Sequence, residues 1–166
     1  MKRRFVILSL TVFVFALTAA GAAKANFSGT WIMDASKTEG LPPGIDQVMT
    51  VSQEGDLIKL ETKVMTDQGS QAISDSYKVD GKENDFEPQG PNGPVGKGKR
   101  TAKWTADGQG IEVIEQATVN TPDGEAQIKM TRKWNLSADG KTLVIVLDVE
   151  GPNGAQTVKR TFNKKA

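Results

Sequence analysis

The sequence contains no cysteine and no histidine among its 166 residues. Without cysteine no disulfide can hold the fold, and without either residue type the usual zinc, haem and copper sites cannot form. A nucleophile activated by histidine is excluded for the same reason. The Asp-Gly turns lack the alternating acids of a calcium loop. The sequence therefore predicts no metal, no cofactor and no recognisable catalytic constellation.

The one long apolar run stands at the N-terminus, where it spans residues 5–17. It follows three basic residues, Lys2, Arg3 and Arg4, and fades into the small-x-small sequence Ala23-Lys24-Ala25. This order of basic, apolar and small residues is typical of a secretory signal peptide. We therefore expect a signal peptide over residues 1–25 and a single domain over 26–166. The mature chain would be periplasmic or extracellular, with no membrane anchor after cleavage.

The charge of the mature chain differs from that of the whole sequence. The 21 basic residues lose Lys2, Arg3, Arg4 and Lys24, which leaves 17 against 20 acidic residues and a net charge of −3. A nucleic-acid-binding domain usually carries a basic surface. The sequence therefore predicts no nucleic-acid partner.

From Val48 onward apolar and polar residues alternate in short runs that are separated by Asp, Asn and Gly turns. Alternation with a period of two indicates half-buried β-strands. No window has the periodicity of a long helix, although Asp34 or Ser36 could cap one helical turn before Pro42. These patterns predict an all-β fold, an antiparallel up-and-down meander barrel of about 9–10 strands.

Residues 88–98 have a different composition, with three prolines and four glycines. Such a segment is typical of a surface loop and is unsuited to a central strand. It lacks the strand-loop-helix context of a phosphate-binding loop. We expect a flexible loop that could contact a protein partner.

The three arginines of the predicted mature chain all fall on the apolar faces of their strands, while the neighbouring lysines fall on the polar faces. Guanidinium is weakly hydrated and stacks on aromatic rings, so it tolerates such a face better than ammonium does. Each arginine could pair with an inward acid, for which Asp75 and Asp148 are candidates, or supply a ligand site with fixed positive charge. The ligand-binding residues that this pattern predicts are Arg100, Arg132, Trp134, Trp104 and Tyr77.

The stretch Phe27-Ser28-Gly29-Thr30-Trp31 at the start of the predicted barrel, together with Arg160 on its last strand, resembles the calycin superfamily of lipocalins and fatty-acid-binding-like barrels. In those families a G-x-W on the first strand packs under a basic side chain and closes one end of the barrel. The resemblance implies that Gly29, Trp31 and Arg160 have these structural roles. The sequence differs from fatty-acid-binding proteins in two ways. It lacks an Arg-x-Tyr on a late strand, and it has no room for a helical lid before Val48.

The resemblance implies an exported binding protein for a small apolar or amphipathic ligand, which could be anionic. Two alternatives stay open. The barrel could have a filled core and act as a structural or protein-interaction module. Less favoured is a hydrolase that uses carboxylates alone, with Glu112 or Glu115 acting together with Asp148.

Overall fold

Strands make up most of the computed structural model, which describes residues 24–90, 93–122 and 124–166. The predicted signal peptide, except for Lys24 and Ala25, lies outside the described residues. The strands are β1 Gly29–Met33, β2 Asp46–Glu54, β3 Leu57–Thr66, β4 Gly69–Lys78, β5 Glu83–Phe86, β6 Gln89–Gly90, β7 Gly93–Pro94, β8 Gly96–Trp104, β9 Gly110–Thr121, β10 Gly124–Leu136, β11 Thr142–Gly151 and β12 Gly154–Lys164.

Ten of these strands form one antiparallel sheet in the order β4-β3-β2-β1-β12-β11-β10-β9-β8-β5. Most neighbours in the sheet are also neighbours in the sequence, which makes it a meander. β1 pairs with β2 on one side and with β12 on the other, so it joins the two ends of the chain. The sheet curls so that β4, which forms one edge, contacts β8, which is next to the other edge, β5. The prediction of an all-β meander with about ten strands is confirmed.

A 3-10 helix at Ala35–Lys37 is the one short helix between β1 and β2. The side chain of Asp34 caps it by accepting a hydrogen bond from the Ser36 amide, as the sequence suggested. Among the described residues no helix is long and apolar enough to cross a membrane. Because the segment between β1 and β2 contains only this short helix, it does not place a pair of helices over the end of the barrel.

The side chains that point into the barrel divide it into two parts. At one end they are large, apolar and almost completely buried, and the largest of them are Phe27, Trp31, Ile58, Ile111, Trp134, Leu143 and Phe162. Towards the tips of the long hairpins the inward residues are smaller and only partly buried. One end of the barrel is thus a packed core, and the other end is open.

Most of the described residues in the segment 88–98, which its composition predicts to be a flexible loop, are paired in strands. Gln89–Gly90 pairs with Gly93–Pro94 in a small hairpin, and Pro91 and Asn92 lie outside the described residues. Gly98 lies inside the main sheet, between Phe86 of β5 and Ala117 of β9. A Cβ added to Gly98 would lie 2.5 Å from the Gln116 carbonyl oxygen. The glycine is there because the neighbouring backbone leaves no space for a side chain.

Replacement of Gly98 with Ala is expected to lower the free energy of unfolding by about 1–3 kcal/mol, because the new methyl group overpacks a strand that cannot move away. Gly151→Ala is the matched control. A Cβ at Gly151 would meet its nearest atom, Ile128 Cγ2, at an ordinary 3.5 Å. Urea unfolding of both variants checks the prediction, and equal midpoints for the two would contradict it.

Candidate functional site

Aromatic rings seal the packed end of the barrel. Phe27 stacks on Trp104 with ring centroids 6.0 Å apart and meets the edge of Trp134 at 5.6 Å. Tyr77 meets Trp134 at 5.9 Å with the two rings perpendicular. Trp31 is fully buried, and its indole nitrogen donates a 2.8 Å hydrogen bond to the Phe27 carbonyl oxygen. Side chains of the described residues fill this end of the barrel.

A cavity of about 570 Å³ lies on the other side of this aromatic cluster. Its position follows from the alternation of inward residues along β10, where Trp134 is succeeded by Arg132, Met130 and Ile128. Polar and charged residues form the inner part of the cavity, namely Gln47, Asp75, Tyr77, Arg100, Glu115, Arg132 and Arg160. The other lining residues are mostly apolar and include Leu60, Val64, Ile73, Val119, Ile128, Met130 and Leu147, with Glu87, Gln89 and Asn120 among the polar ones.

Glu115 is the centre of a buried ion cluster. It is 0% exposed and accepts a 2.6 Å hydrogen bond from Arg100 Nε at one carboxylate oxygen. Its other oxygen accepts a hydrogen bond from Arg132 Nη1. Arg100 also forms a two-pronged contact with Asp75, at 2.8 and 3.0 Å. Paired carboxylates reduce the cost of burying these two guanidinium groups.

Arg100 joins β8 to β4, two strands that share no backbone ladder. It belongs to β8, yet Nη1 donates to the Ser76 carbonyl oxygen of β4 at 2.8 Å. Its guanidinium also lies between the rings of Tyr77 and Phe86, 4.8 and 4.3 Å from their centroids. Burial opposes its ionisation, but hydrogen bonds to Asp75 and the charge of Glu115 outweigh burial and raise the pKa of Arg100. The side chain therefore closes the barrel as a fixed cation.

Arg160 lies in the same cavity but has no acidic partner. None of the carboxylates in the described residues forms an ion pair with it, and its buried Nε has no hydrogen-bond partner there. Burial, followed by the positive charge of Arg132, lowers the pKa of Arg160. Arginine nevertheless stays charged at neutral pH. Glu115 and Asp75 balance the charges of Arg100 and Arg132, so Arg160 adds a positive charge that has no ion-pair partner among the described residues.

The fold has counterparts among solved structures. A structure of zebrafish ileal bile acid-binding protein, complexed with cholic acid, aligns with a TM-score of 0.51 and 20% sequence identity, covering 84% of this chain and 98% of that chain. The chain has a calycin-like β-barrel fold. Secretory abundant heat soluble protein 4 from Ramazzottius varieornatus also aligns, with a TM-score of 0.46, 16% identity, and coverage of 84% and 95%. No protein-family model and no curated protein matched the sequence.

The calycin-like closure of the packed end uses a different cation from the predicted one. Lys164 lies over the Trp31 ring, 5.3 Å from its centroid, because the two residues are opposite each other in the β1–β12 ladder. Arg160 lies four residues earlier on β12, opposite Ile145, and faces the cavity. A Cβ on Gly29 would lie 2.8 Å from Lys164 Cε, so this glycine makes room for the lysine side chain. The assignment of Arg160 to barrel closure was wrong.

Four of the five predicted ligand-binding residues, Tyr77, Arg100, Arg132 and Trp134, come together around the cavity of the calycin-like barrel or the small recess below it. Trp104 does not join them. Its ring stacks on Phe27 at the packed end, and its indole nitrogen donates to Asp56 at 3.0 Å.

Among the polar residues of the cavity, Gln47 was not predicted from the sequence, and neither was the role of Glu115 as a partner of arginine. Glu115 alternates with buried Val113 and Ala117 along β9, so the period of two could have marked it as an inward acid. Asp148, which was expected as an acidic partner, faces outward and accepts a 2.7 Å hydrogen bond from Thr157. The alternation of burial thus identifies the partner better than proximity to an arginine in the sequence.

The carboxylates suggested for a hydrolase are not assembled into a pair. Glu115 is enclosed by two arginines inside the barrel, whereas Asp148 is on the outer face. Glu112 also faces outward and forms a 2.8 Å ion pair with Lys103. A pair of carboxylates on either side of a substrate bond, as glycoside hydrolysis requires, is therefore absent at these positions.

Proposed function

We propose that this chain is an exported binding protein for a small amphipathic anion, which it holds with the charged head group inside the barrel. The observation that carries this proposal is Arg160, a half-buried cation that lines the cavity, has a buried and unpartnered Nε, and has no acidic partner among the described residues. Burying a charge without a partner is costly, so such a residue is usually neutralised by a neighbour or a ligand. A bound carboxylate would supply the missing negative charge.

The distribution of side chains supports this orientation of the ligand. The three arginines lie at the inner end of the cavity, and the walls between them and the mouth are mostly apolar. A ligand pocket is commonly an apolar cleft with a few convergent polar groups that fix orientation. An anionic head would lie at Arg160 and Arg132, and an apolar tail would run past Met130 and Ile128. A volume of about 570 Å³ lies within the usual range for small-molecule pockets and argues against the alternative of a filled core.

The structural neighbour is in keeping with this proposal. It is a bile acid-binding protein complexed with cholic acid, which is an amphipathic carboxylic acid. At 20% identity the likeness concerns the fold, so the chemical argument for this chain rests on its own arginines. Export rests on the basic, apolar and small residues of the first 25 positions.

Replacement of Arg160 with Met tests the proposal. The affinity for an anionic amphiphile is expected to fall about ten-fold to a hundred-fold, because a charge-assisted hydrogen bond is worth roughly 1.5–3 kcal/mol. Displacement of dansyl-labelled undecanoic acid by palmitate measures this affinity. Methyl palmitate, which has no negative charge, should bind equally weakly to both proteins.

Lys159→Met is the matched control, because Lys159 is the next residue on β12 and pairs with Glu39 on the outside of the barrel. It should leave palmitate binding unchanged. Arg160→Met should also unfold at an equal or higher urea concentration than the wild type, since it removes a half-buried charge that has no acidic partner among the described residues. Undiminished palmitate binding by Arg160→Met, or no saturable binding by the wild type, would rule out the proposed function.

A further inference from the structure

Below the main cavity lies a small recess of about 60 Å³, between the charged residues and the aromatic cluster. Three buried polar atoms of its lining residues have no hydrogen-bond partner among the residues that the structure describes. They are Gln47 Oε1, Trp134 Nε1 and Arg160 Nε. Gln47 is 5% exposed and Trp134 is 1% exposed, so bulk water does not reach them freely.

Such a concentration of unpaired atoms points to a missing binding partner. About nine in ten buried polar groups in proteins have a hydrogen bond, and leaving one unpaired costs about 1–3 kcal/mol. The three residues that carry these atoms come from β2, β10 and β12, and all three line one recess. A single group bound in the recess could form hydrogen bonds with all three atoms. Unrelated packing defects would not explain why three residues with unpaired atoms line the same recess.

The chemical types of the three atoms specify what such a group must offer. The indole nitrogen of Trp134 and Nε of Arg160 are donors and require acceptors, whereas the amide oxygen of Gln47 is an acceptor and requires a donor. A simple carboxylate offers acceptors alone, so it would leave Gln47 unsatisfied. The same holds for a fully ionised sulfate or sulfonate.

We propose that the ligand is an amphipathic carboxylate with a hydroxyl or amide N–H on the carbon next to the carboxylate. This inference rests on the proposed function and narrows its head group. The carboxylate oxygens accept hydrogen bonds from Arg160 Nε and Trp134 Nε1, and the adjacent O–H or N–H donates to Gln47 Oε1. A water molecule takes about 30 Å³ of liquid volume, so the recess admits a group of only a few heavy atoms, and the remaining head group stays level with Arg132.

Two classes of molecule share this head-group chemistry, namely α-hydroxy fatty acids and N-acyl amino acids. Titration calorimetry of the purified chain with palmitate, α-hydroxypalmitate and N-myristoylglycine distinguishes them. At least one of the two donor-bearing ligands is expected to bind about ten-fold more tightly than palmitate, which corresponds to one net hydrogen bond. A preference for α-hydroxypalmitate alone identifies the hydroxy acid, and one for N-myristoylglycine alone identifies the acyl amino acid.

Gln47→Leu should abolish this preference, so that the donor-bearing ligand and palmitate bind to the variant with equal affinity, because leucine cannot accept the hydrogen bond that distinguishes them. Gln47→Met, which keeps a flexible unbranched side chain, serves if the leucine variant does not fold. Equal binding of all three ligands by the wild type would overturn the inference and leave the proposed function in place. A preference that survives both substitutions would also overturn it, whereas no saturable binding of any ligand would reject both proposals.

Discussion

Glu115→Gln should lower the free energy of unfolding by about 3–5 kcal/mol, the usual cost of removing one partner from a buried ion pair. The carboxylate of Glu115 is completely buried and faces Arg100 and Arg132. A glutamine of the same shape cannot neutralise either guanidinium, and its amide group would point donors towards donors. Arg132 would lose its acidic partner, whereas Arg100 would retain Asp75. Urea unfolding followed by tryptophan fluorescence measures the change.

The neighbouring strand residue Glu112 offers a control for this substitution. It lies on the same strand as Glu115 but on the outer face, where it pairs with Lys103. Exposed ion pairs contribute roughly 0–1 kcal/mol, so Glu112→Gln should have a small effect that decreases further in high salt. If Glu115→Gln cost no more than Glu112→Gln, the buried cluster would not stabilise the barrel in the way described.

Trp31→Ala should lower the free energy of unfolding by about 3–5 kcal/mol, which is typical of truncating a buried large aromatic side chain. The ring of Trp31 is fully buried, its indole nitrogen is bonded to the Phe27 carbonyl oxygen, and Lys164 covers it. Alanine would leave a cavity at the packed end and an unpaired carbonyl oxygen. The loss should appear as a lower urea midpoint and a lower melting temperature.

Ile32→Ala is the control for Trp31→Ala, because Ile32 is adjacent in β1 but points outward and is 44% exposed. Surface substitutions of this kind usually change stability by less than about 0.5 kcal/mol. A cost below about 1 kcal/mol for Trp31→Ala would show that the tryptophan does not close this end of the barrel.

The alternation of residues was sufficient to predict the strand-rich fold and the inward position of the three arginines. It could not give the register between the first and last strands, because Arg160 and Lys164 lie on the same face of β12. The sequence pattern requires only a cation near Trp31, and either residue meets that requirement. In the β1–β12 ladder Lys164 is the residue opposite Trp31, whereas Arg160 lies in the cavity.

Two other misses have a compositional cause. β5 is only four residues long, Glu83–Phe86, and three of them are polar, so it has too little alternation to be recognised. The glycines and prolines of residues 88–98 resemble a loop in isolation. Gly98 nevertheless lies in a strand, because the contact that excludes a side chain comes from Gln116, far away in the sequence. Packing between distant strands cannot be deduced from local composition.

The division of the barrel into a packed end and an open end has a consequence for how it moves. A single strand such as β10 runs from buried Trp134 to partly exposed Ala126, so it spans regions of very different contact density. Local opening requires less free energy where few apolar contacts must be broken. Amide hydrogens should therefore exchange slowly near Trp134 and progressively faster towards the hairpin tip. The mouth could then widen to admit a molecule while the aromatic end keeps the chain folded.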